Sequence, residues 1–451
     1  MIFDNPIHFT NLLFYFFTTI FFFTIGIHYF LKYPRYQNTF AKVFILLIVV
    51  LICANGVKRS FEYSEKIWPG EEERGLERAL LNAAHNFAEK GFSSNYGLPD
   101  FGRNYYDTDV NGKLTRVPLS EKPNHHIIYK HEPPGSSWLT ALFVKACGNG
   151  TLRCTRILST ITGSLALLFF AIMIYYALGP LKSTVLMFFV AIIPMTRNMI
   201  WTLHNHNYSV SIFLIQVGFL LYFFKKKREF KMSTAFILFI LAFIQGWVSY
   251  EYIFLTCLSP IPFALLYSQL DKKEDQKRLF FAMLFPIIGF GCAIGLHIIQ
   301  ISLYYGSFMD GFNELFKRSA TVFSIDKPAG WNRKVGRISF PLEYFFVYPR
   351  SWFFFIINFP VLLSVCLVLI WFKGISITIK EPINISLKWV SSRQNYFVIL
   401  SAFFVTYLWI FIMPNAVAIE SPHMARILFF LYFVCILTML ECIRSTVPNN
   451  Q

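Results

Sequence analysis

Four acids crowd one short stretch, Glu71-Glu72-Glu73 and then Glu77. They open the segment 71–91, EEERGLERALLNAAHNFAEKG, which Pro69-Gly70 precedes and Gly91 ends. Acids in the first turn, apolar residues recurring at Leu76, Leu80, Ala83 and Phe87, and a terminal glycine predict a helix. A carboxylate held against apolar surface loses hydration, its pKa rises, and it becomes a competent base. Glu73 prolongs the apolar stripe, Glu72 lies one turn before Leu76, and Glu77 follows within the helix. All three are candidates for proton abstraction. The same acids would also simply offset the helix dipole.

Cations gather in other segments that must lie near these acids if they are to work with them. Lys130 and His131 stand in YKHEPPG, where the proline pair fixes an extended entry to the next helix. The segment 305–349 carries Lys317, Arg318, Lys327, Arg333, Lys334 and Arg337, against only Asp310, Glu314, Asp326 and Glu343. Arg350 follows it, and His423 and Arg426 precede the last apolar run. Such a set suits the phosphate of a lipid, by simple headgroup contact or in a reacting site. His204-Asn205-His206-Asn207 offers hydrogen bonds to a polar ligand. Its two histidines lack the third ligand that a metal site wants, and His125-His126 are no better supplied. Glu251, between Tyr250 and Tyr252 at a membrane boundary, must be solvated or paired, which makes it a site candidate beside two tyrosines of an aromatic belt. Cys147 and Cys154 flank Gly148-Asn149-Gly150 and could close a disulfide in an oxidising compartment. No cofactor is required by this set, and a divalent cation is left open.

The elements that must position these groups are membrane helices. Of 451 residues, 55% are hydrophobic and 15% charged, with 53 Phe, and the mean hydropathy is +0.49. These values disfavour a soluble enzyme, a disordered chain and a disulfide-rich secreted domain alike. Eleven spans are expected, near 10–32, 42–57, 156–179, 182–200, 207–224, 233–249, 251–269, 279–304, 350–372, 396–413 and 426–442. Lys42 and Lys58 would snorkel at the ends of the short second span. Residues 135–148 are too short to cross. Trp138, Leu139, Leu142, Phe143 and Ala146 form an apolar stripe, as in a helix lying on the interface.

The net charge of +16 does not read as nucleic-acid binding, because the densest basic runs separate apolar segments. Lys225-Lys226-Lys227-Arg228 with Lys231, the group Lys272, Lys273, Lys277 and Arg278, and the group Lys32, Arg35 and Lys42 read as cytoplasmic. The opposite side then holds 58–155, 200–207, 305–349 and 414–425. The expected units are 1–57 with two spans, the outer loop 58–155, a membrane core 156–304, the basic outer loop 305–349, and further spans in 350–451. No nucleotide-binding motif is visible, which argues against ATP-driven transport by this chain alone.

The order of parts resembles the GT-C membrane glycosyltransferases, in particular the branch of protein O-mannosyltransferases and lipid A aminoarabinose transferases. LERALLNAAHNFAEKGF looks like the first juxtamembrane helix of that branch. YKHEPPGSSWLTALF looks like its proline-pair turn and second juxtamembrane helix, and Arg156 in TRILS matches an arginine that commonly opens the next span. The resemblance covers about residues 40–225, and the rest only by hydropathy. It implies an all-α bundle and a lipid-linked sugar donor. An acid in the first outer loop would act as base, with inversion through an oxocarbenium-like transition state. The family usually carries an Asp-Glu pair where this chain has the 71–77 run. Counting back from Gly91 favours Glu77, whereas closeness to the span favours Glu73. The partners implied are a polyprenyl-phosphate sugar, a glycan, lipid or protein acceptor, and membrane lipid, with no nucleic acid. The location implied is a bacterial inner membrane, with the site on the periplasmic or extracellular side. The competing expectation is a transporter or flippase for an anionic lipid-linked solute, which should bury ionisable groups near the midplane. His28 and His297 are the plainest such residues. A non-catalytic assembly subunit is a third.

Overall fold

The computed structural model describes residues 36–62, 74–101, 106–108, 114–116, 128–130, 133–148, 152–192, 203, 205–323, 393–412, 430–431, 433–438 and 440–441. In chain order these form α1 (Gln37–Glu62), α2 (Arg74–Lys90), a 3-10 turn (Ser94–Gly97), strands β1 (Tyr106–Thr108) and β2 (Leu114–Arg116), α3 (Gly135–Ala146) and α4 (Leu152–Leu178). There follow α5 (Pro180–Ile192), α6 (Asn205–Lys225), α7 (Met232–Val248), α8 (Ile253–Leu258), α9 (Pro260–Tyr267), α10 (Lys273–Tyr305), α11 (Phe308–Phe323) and α12 (Arg393–Ile412). The described part of 430–441 is helical as well. The chain is an all-α polytopic membrane protein, with one antiparallel hairpin that pairs Tyr106 with Arg116 and Thr108 with Leu114. Among the described residues, α1, α4, α6 and α10 are long and apolar enough to cross a membrane. The spans expected at 10–32 and 350–372 lie outside the described residues.

The long helices are apolar on every side, as a helix meeting both protein and lipid must be. Helix α1 buries Ala41, Ile45, Ile48, Val49 and Ile52 and leaves Val43, Leu46, Leu47, Val50 and Leu51 exposed. It runs beyond the short span expected, and the two lysines behave differently. Lys42 lies over the Tyr175 ring, 5.7 Å from its centroid, whereas Lys58 pairs with Glu62 at 3.5 Å on the exposed side.

The span expected at 251–269 is broken into α8 and α9. Pro260 and Pro262 lack the backbone N–H that a continuous helix needs. The carbonyl of Thr256, which residue 260 would have served, instead accepts the side-chain amide of buried Gln216 from α6 at 2.6 Å. A neighbouring helix thus satisfies the freed group in an environment without water.

Helices α7 and α10 pack parallel at close range. A Cβ on Gly289 would strike the Phe239 carbonyl oxygen, and one on Gly246 would come within 3.0 Å of Ala293 Cβ. Small residues at such contacts let two backbones approach in lipid.

One end of the bundle is tied by charge. Glu441 accepts Lys182 Nζ of α5 at 2.9 Å, Lys225 Nζ of α6 at 2.9 Å and the Tyr267 hydroxyl of α9 at 3.1 Å. Arg278 of α10 pairs there with Asp275 at 2.6 Å and reaches the Lys227 carbonyl. Helix α10 leaves this basic end and, over 33 residues, rises about 50 Å to Tyr305 at the other.

Candidate functional site

At the far end of α10 the polar segments of the chain meet. Helix α2 was expected to carry one apolar stripe. Instead, every residue from Leu80 to Phe87 is buried, Asn82, His85 and Asn86 among them. Neighbours cover it on all sides over two turns, so its polar residues are structural members of the end-cap. Asn86 donates to the Asp100 carbonyl at 2.6 Å, and the buried Asp100 carboxylate pairs with Lys90 at 3.7 Å. These contacts dock the segment after α2 onto the helix. Asp100 also bridges Ile128, Tyr129 N–H donates to the Pro99 carbonyl at 2.8 Å, and the Phe101 and Tyr129 rings stack at 4.7 Å. Lys130 is thereby delivered to the end of α10.

There the Lys130 ammonium hydrogen-bonds the Tyr305 hydroxyl. It lies 4.5 Å from the Tyr305 ring centroid and 5.2 Å from that of Tyr304. Two aromatic faces hold a cation whose donors are not exhausted by one phenol. Tyr304 and Tyr305 are themselves 38% and 39% exposed, so an anion can reach the ammonium from outside the bundle.

Helix α3 corrects the expectation for residues 135–148. Its buried face is Ser136, Ser137, Thr140, Ala141 and Val144, whereas Leu142 of the expected stripe is exposed. Small and hydroxyl-bearing residues make the closest helix–helix contact, while Leu142 turns outward and Trp138, Leu139 and Phe143 are half-buried against neighbouring elements. Gly135 allows this closeness, since a Cβ there would strike the Trp247 carbonyl oxygen. Thr140 and Tyr208 share a 3.0 Å hydroxyl contact that joins α3 to the start of α6. The Cys147–Cys154 disulfide, with Cα atoms 6.0 Å apart, closes the turn into α4.

The 3-10 turn sits over this junction. Trp138 Nε1 donates to the Gly97 carbonyl at 3.1 Å, and Trp138 meets Trp247 edge-on at 5.5 Å. Gly97 has φ +81°, and a Cβ there would lie 2.5 Å from Gln300 Nε2 and 2.9 Å from Trp138 Cζ2. Gly97→Ala is therefore expected to cost about 1–2 kcal/mol in backbone strain alone, with more from the displaced tryptophan. Thermal unfolding in detergent, read beside Trp fluorescence, checks it.

Tyr250 was expected among belt tyrosines, and Tyr252 with it. Tyr252 is buried against Phe213, with centroids 5.6 Å apart. Tyr250 turns inward, and its hydroxyl pairs with His297 Nδ1. Burial pushes the Tyr250 phenol up, so it stays protonated, and the imidazole tautomer sets which partner donates. Between them Glu251 is half-buried, and its backbone N–H donates to Ser249 Oγ at 3.3 Å.

The remaining candidates are distributed as follows. Asn207 is buried in the first turn of α6. The backbones of Asn205 and His206 open that helix, and those of Glu77 and Arg318 belong to α2 and α11, but their side chains lie outside the described residues. Glu72, Glu73, His131, His204, Arg333, Lys334, Arg337 and Arg426 also lie outside them. Among the described residues no three His, Cys, Asp or Glu side chains converge as a metal site. Tyr304 and Tyr305 went unnoticed in the sequence, where a tyrosine pair at the end of a span reads as an interfacial belt.

No protein-family model matches this chain, and the comparison with curated proteins finds no match. Solved structures do show likeness. The apo Archaeoglobus fulgidus oligosaccharyltransferase aligns over 88% of this chain and 50% of its own, at 13% identity and TM-score 0.43. The same enzyme tethered to an acceptor peptide containing the NVT sequon aligns at 12% identity and TM-score 0.42, over 88% and 49%. Archaeal oligosaccharyltransferase AglB from Archaeoglobus fulgidus, in complex with an inhibitory peptide and a dolichol-phosphate, aligns at 13% identity and TM-score 0.38, over 89% and 50%. This chain therefore spans about half the length of the structures it matches.

Proposed function

We propose that this chain is a GT-C-type membrane glycosyltransferase, moving a hexose or pentose from a polyprenyl-phosphate donor to a glycan, lipid or protein acceptor. The observation that carries the reading is Lys130, a cation held on two half-exposed tyrosines where α10 ends. A phosphate whose prenyl chain stays in lipid can arrive there sideways. The departing phosphate is a weak base, so it needs cationic stabilisation more than a general acid. Arg318, Arg333, Lys334, Arg337, His131 and Arg426 are proposed to complete the clamp. An acid of the 71–77 run takes the acceptor proton, and attack opposite the phosphate inverts the anomeric carbon. His204, Asn205, His206, Asn207 and Glu251 are proposed to hold the acceptor or sugar.

The sidedness proposed is periplasmic or extracellular, in a bacterial inner membrane. It is supported by the disulfide at the start of α4, since such bonds persist in oxidising compartments. The charged cluster around Glu441 lies at the opposite end of the bundle, beside the loops read as cytoplasmic.

A transporter would want its buried polar groups near the bilayer midplane. His297 precedes the end of α10 by eight residues, about 12 Å of helix rise, which suits a site opening at one face.

The test uses the purified full chain in proteoliposomes, given polyprenyl phosphate bearing a radiolabelled sugar and an extract of membrane acceptors. Label moving to acceptor with release of polyprenyl phosphate is the expected result. Label crossing the bilayer still attached to its lipid would favour the transporter. Lys130→Gln is expected to lower kcat/KM about 10–100-fold, the worth of one charge-assisted hydrogen bond at a phosphate.

A further inference from the structure

The segments that lead into α7 and α10 meet at the basic end of the bundle. Phe230 stacks on Phe281 at 5.2 Å and on Phe285 at 5.7 Å, and Arg278 reaches the Lys227 carbonyl. Lys231 follows Phe230 directly, and Lys277 stands one turn before Phe281 on the same face of α10. The ring stack therefore sets two exposed lysines from separate segments at one corner. Lys277 meets Glu274 at 3.7 Å, but these side chains are 67% and 82% exposed, so the pair is weak and easily displaced. Across 226–231 and 271–277, seven exposed Lys and Arg stand against three exposed Asp and Glu. The corner keeps positive charge that its own acids do not neutralise.

Apolar surface adjoins those lysines. Met232, next to Lys231, and Phe236, one turn further along α7, are exposed. Phe280, three residues after Lys277, is exposed on α10, and so is Ile287, two turns beyond it. Helix α10 is long and apolar enough to cross a membrane, so these side chains meet acyl chains while the lysines stand at headgroup level. A soluble acidic partner would use the charge alone. An anionic phospholipid uses both parts, because its phosphate takes the ammonium groups and its chains lie along the apolar faces.

We infer that Lys231 and Lys277, joined through the Phe230–Phe281 stack, hold the phosphate of an anionic glycerophospholipid, with its acyl chains against Met232, Phe236 and Phe280. The site lies at the end of α10 opposite Lys130 and does not depend on what the chain transfers.

Binding to detergent-solubilised full-length protein tests it, with phosphatidylglycerol and phosphatidylcholine of the same acyl chains as probes. Wild type is expected to bind phosphatidylglycerol about tenfold more tightly, as two lysines at a lipid phosphate allow. Lys231→Gln and Lys277→Gln are each expected to weaken that binding about fivefold, the worth of one lysine at an anionic lipid, and to leave phosphatidylcholine within about twofold. Lys231→Arg and Lys277→Arg keep the charge and should keep the preference. Lys42→Gln, which removes an exposed charge of α1 at the same end of the bundle, should change phosphatidylglycerol binding by less than about twofold. An equal loss in Lys42→Gln would mean attraction to overall charge and overturns the site. So does unaltered binding in both glutamine variants of the pair, displacement of the lipid by inorganic phosphate at equal concentration, or the absence of any preference in wild type.

Discussion

Glutamine in place of the acting acid among Glu72, Glu73 and Glu77 is expected to lower the rate constant for sugar transfer by about 10²–10⁴, the usual worth of a positioned general base. Glutamine keeps the size and hydrogen-bonding reach of the side chain but cannot accept a proton, so donor KM should move little. In the wild type the rate should fall on the acid side as the base protonates, and that limb should vanish in the variant. The other two single variants should stay within a few-fold of wild type. The proposal places the base at the start of α2, whose residues Leu80 to Phe87 are buried. A steady-state rate series across pH, with folding verified by gel filtration, decides it. If transfer persists in all three variants and in the triple variant, the base lies elsewhere.

Glu441→Ala is expected to destabilise the bundle by about 2–3 kcal/mol, less than the cost of breaking a fully buried ion pair because this one is part-buried. The Glu441 side chain is 16% exposed, and Lys182 and Lys225 are 22% and 29% exposed. Removing the carboxylate leaves two ammonium groups facing each other with little water to screen them. It also frees the 430–441 helix from α5, α6 and α9. Glu441→Gln retains an acceptor oxygen for one lysine and for Tyr267, so its loss should be smaller. Thermal unfolding in detergent separates the three proteins, and a wild-type melting temperature in Glu441→Ala would sink the idea that this cluster clamps the last helix. Because the cluster stands at the end of α10 opposite Lys130, donor affinity measured well below the melting temperature should not change.

Much of the helical framework was legible because membrane helices announce themselves by composition alone. The apolar run 42–57 lies within α1, 156–179 overlaps α4, 207–224 lies within α6 and 279–304 within α10. A helix with 20 apolar residues has no competing arrangement in a medium that satisfies no backbone groups. The helix expected at 71–91, described from Arg74 to Lys90, the short helix expected at 135–148, described from Gly135 to Ala146, and the Cys147–Cys154 bond could likewise be read from caps, length and spacing.

Which side chains face inward was not legible in the same way. In water an apolar stripe marks the buried face, but in lipid that rule weakens, so α3 turns Leu142 outward and buries Ser136 and Thr140. The break at Pro260 could be suspected from sequence, whereas its repair by Gln216, forty-four residues earlier, required the packed bundle. Sequence determined that this is a multispanning helical protein with acids and cations concentrated in its non-apolar segments. Only the tertiary structure brought Lys130 onto Tyr304 and Tyr305 and Tyr250 onto His297, because contacts between residues far apart in sequence depend on helix pairing that local pattern does not encode.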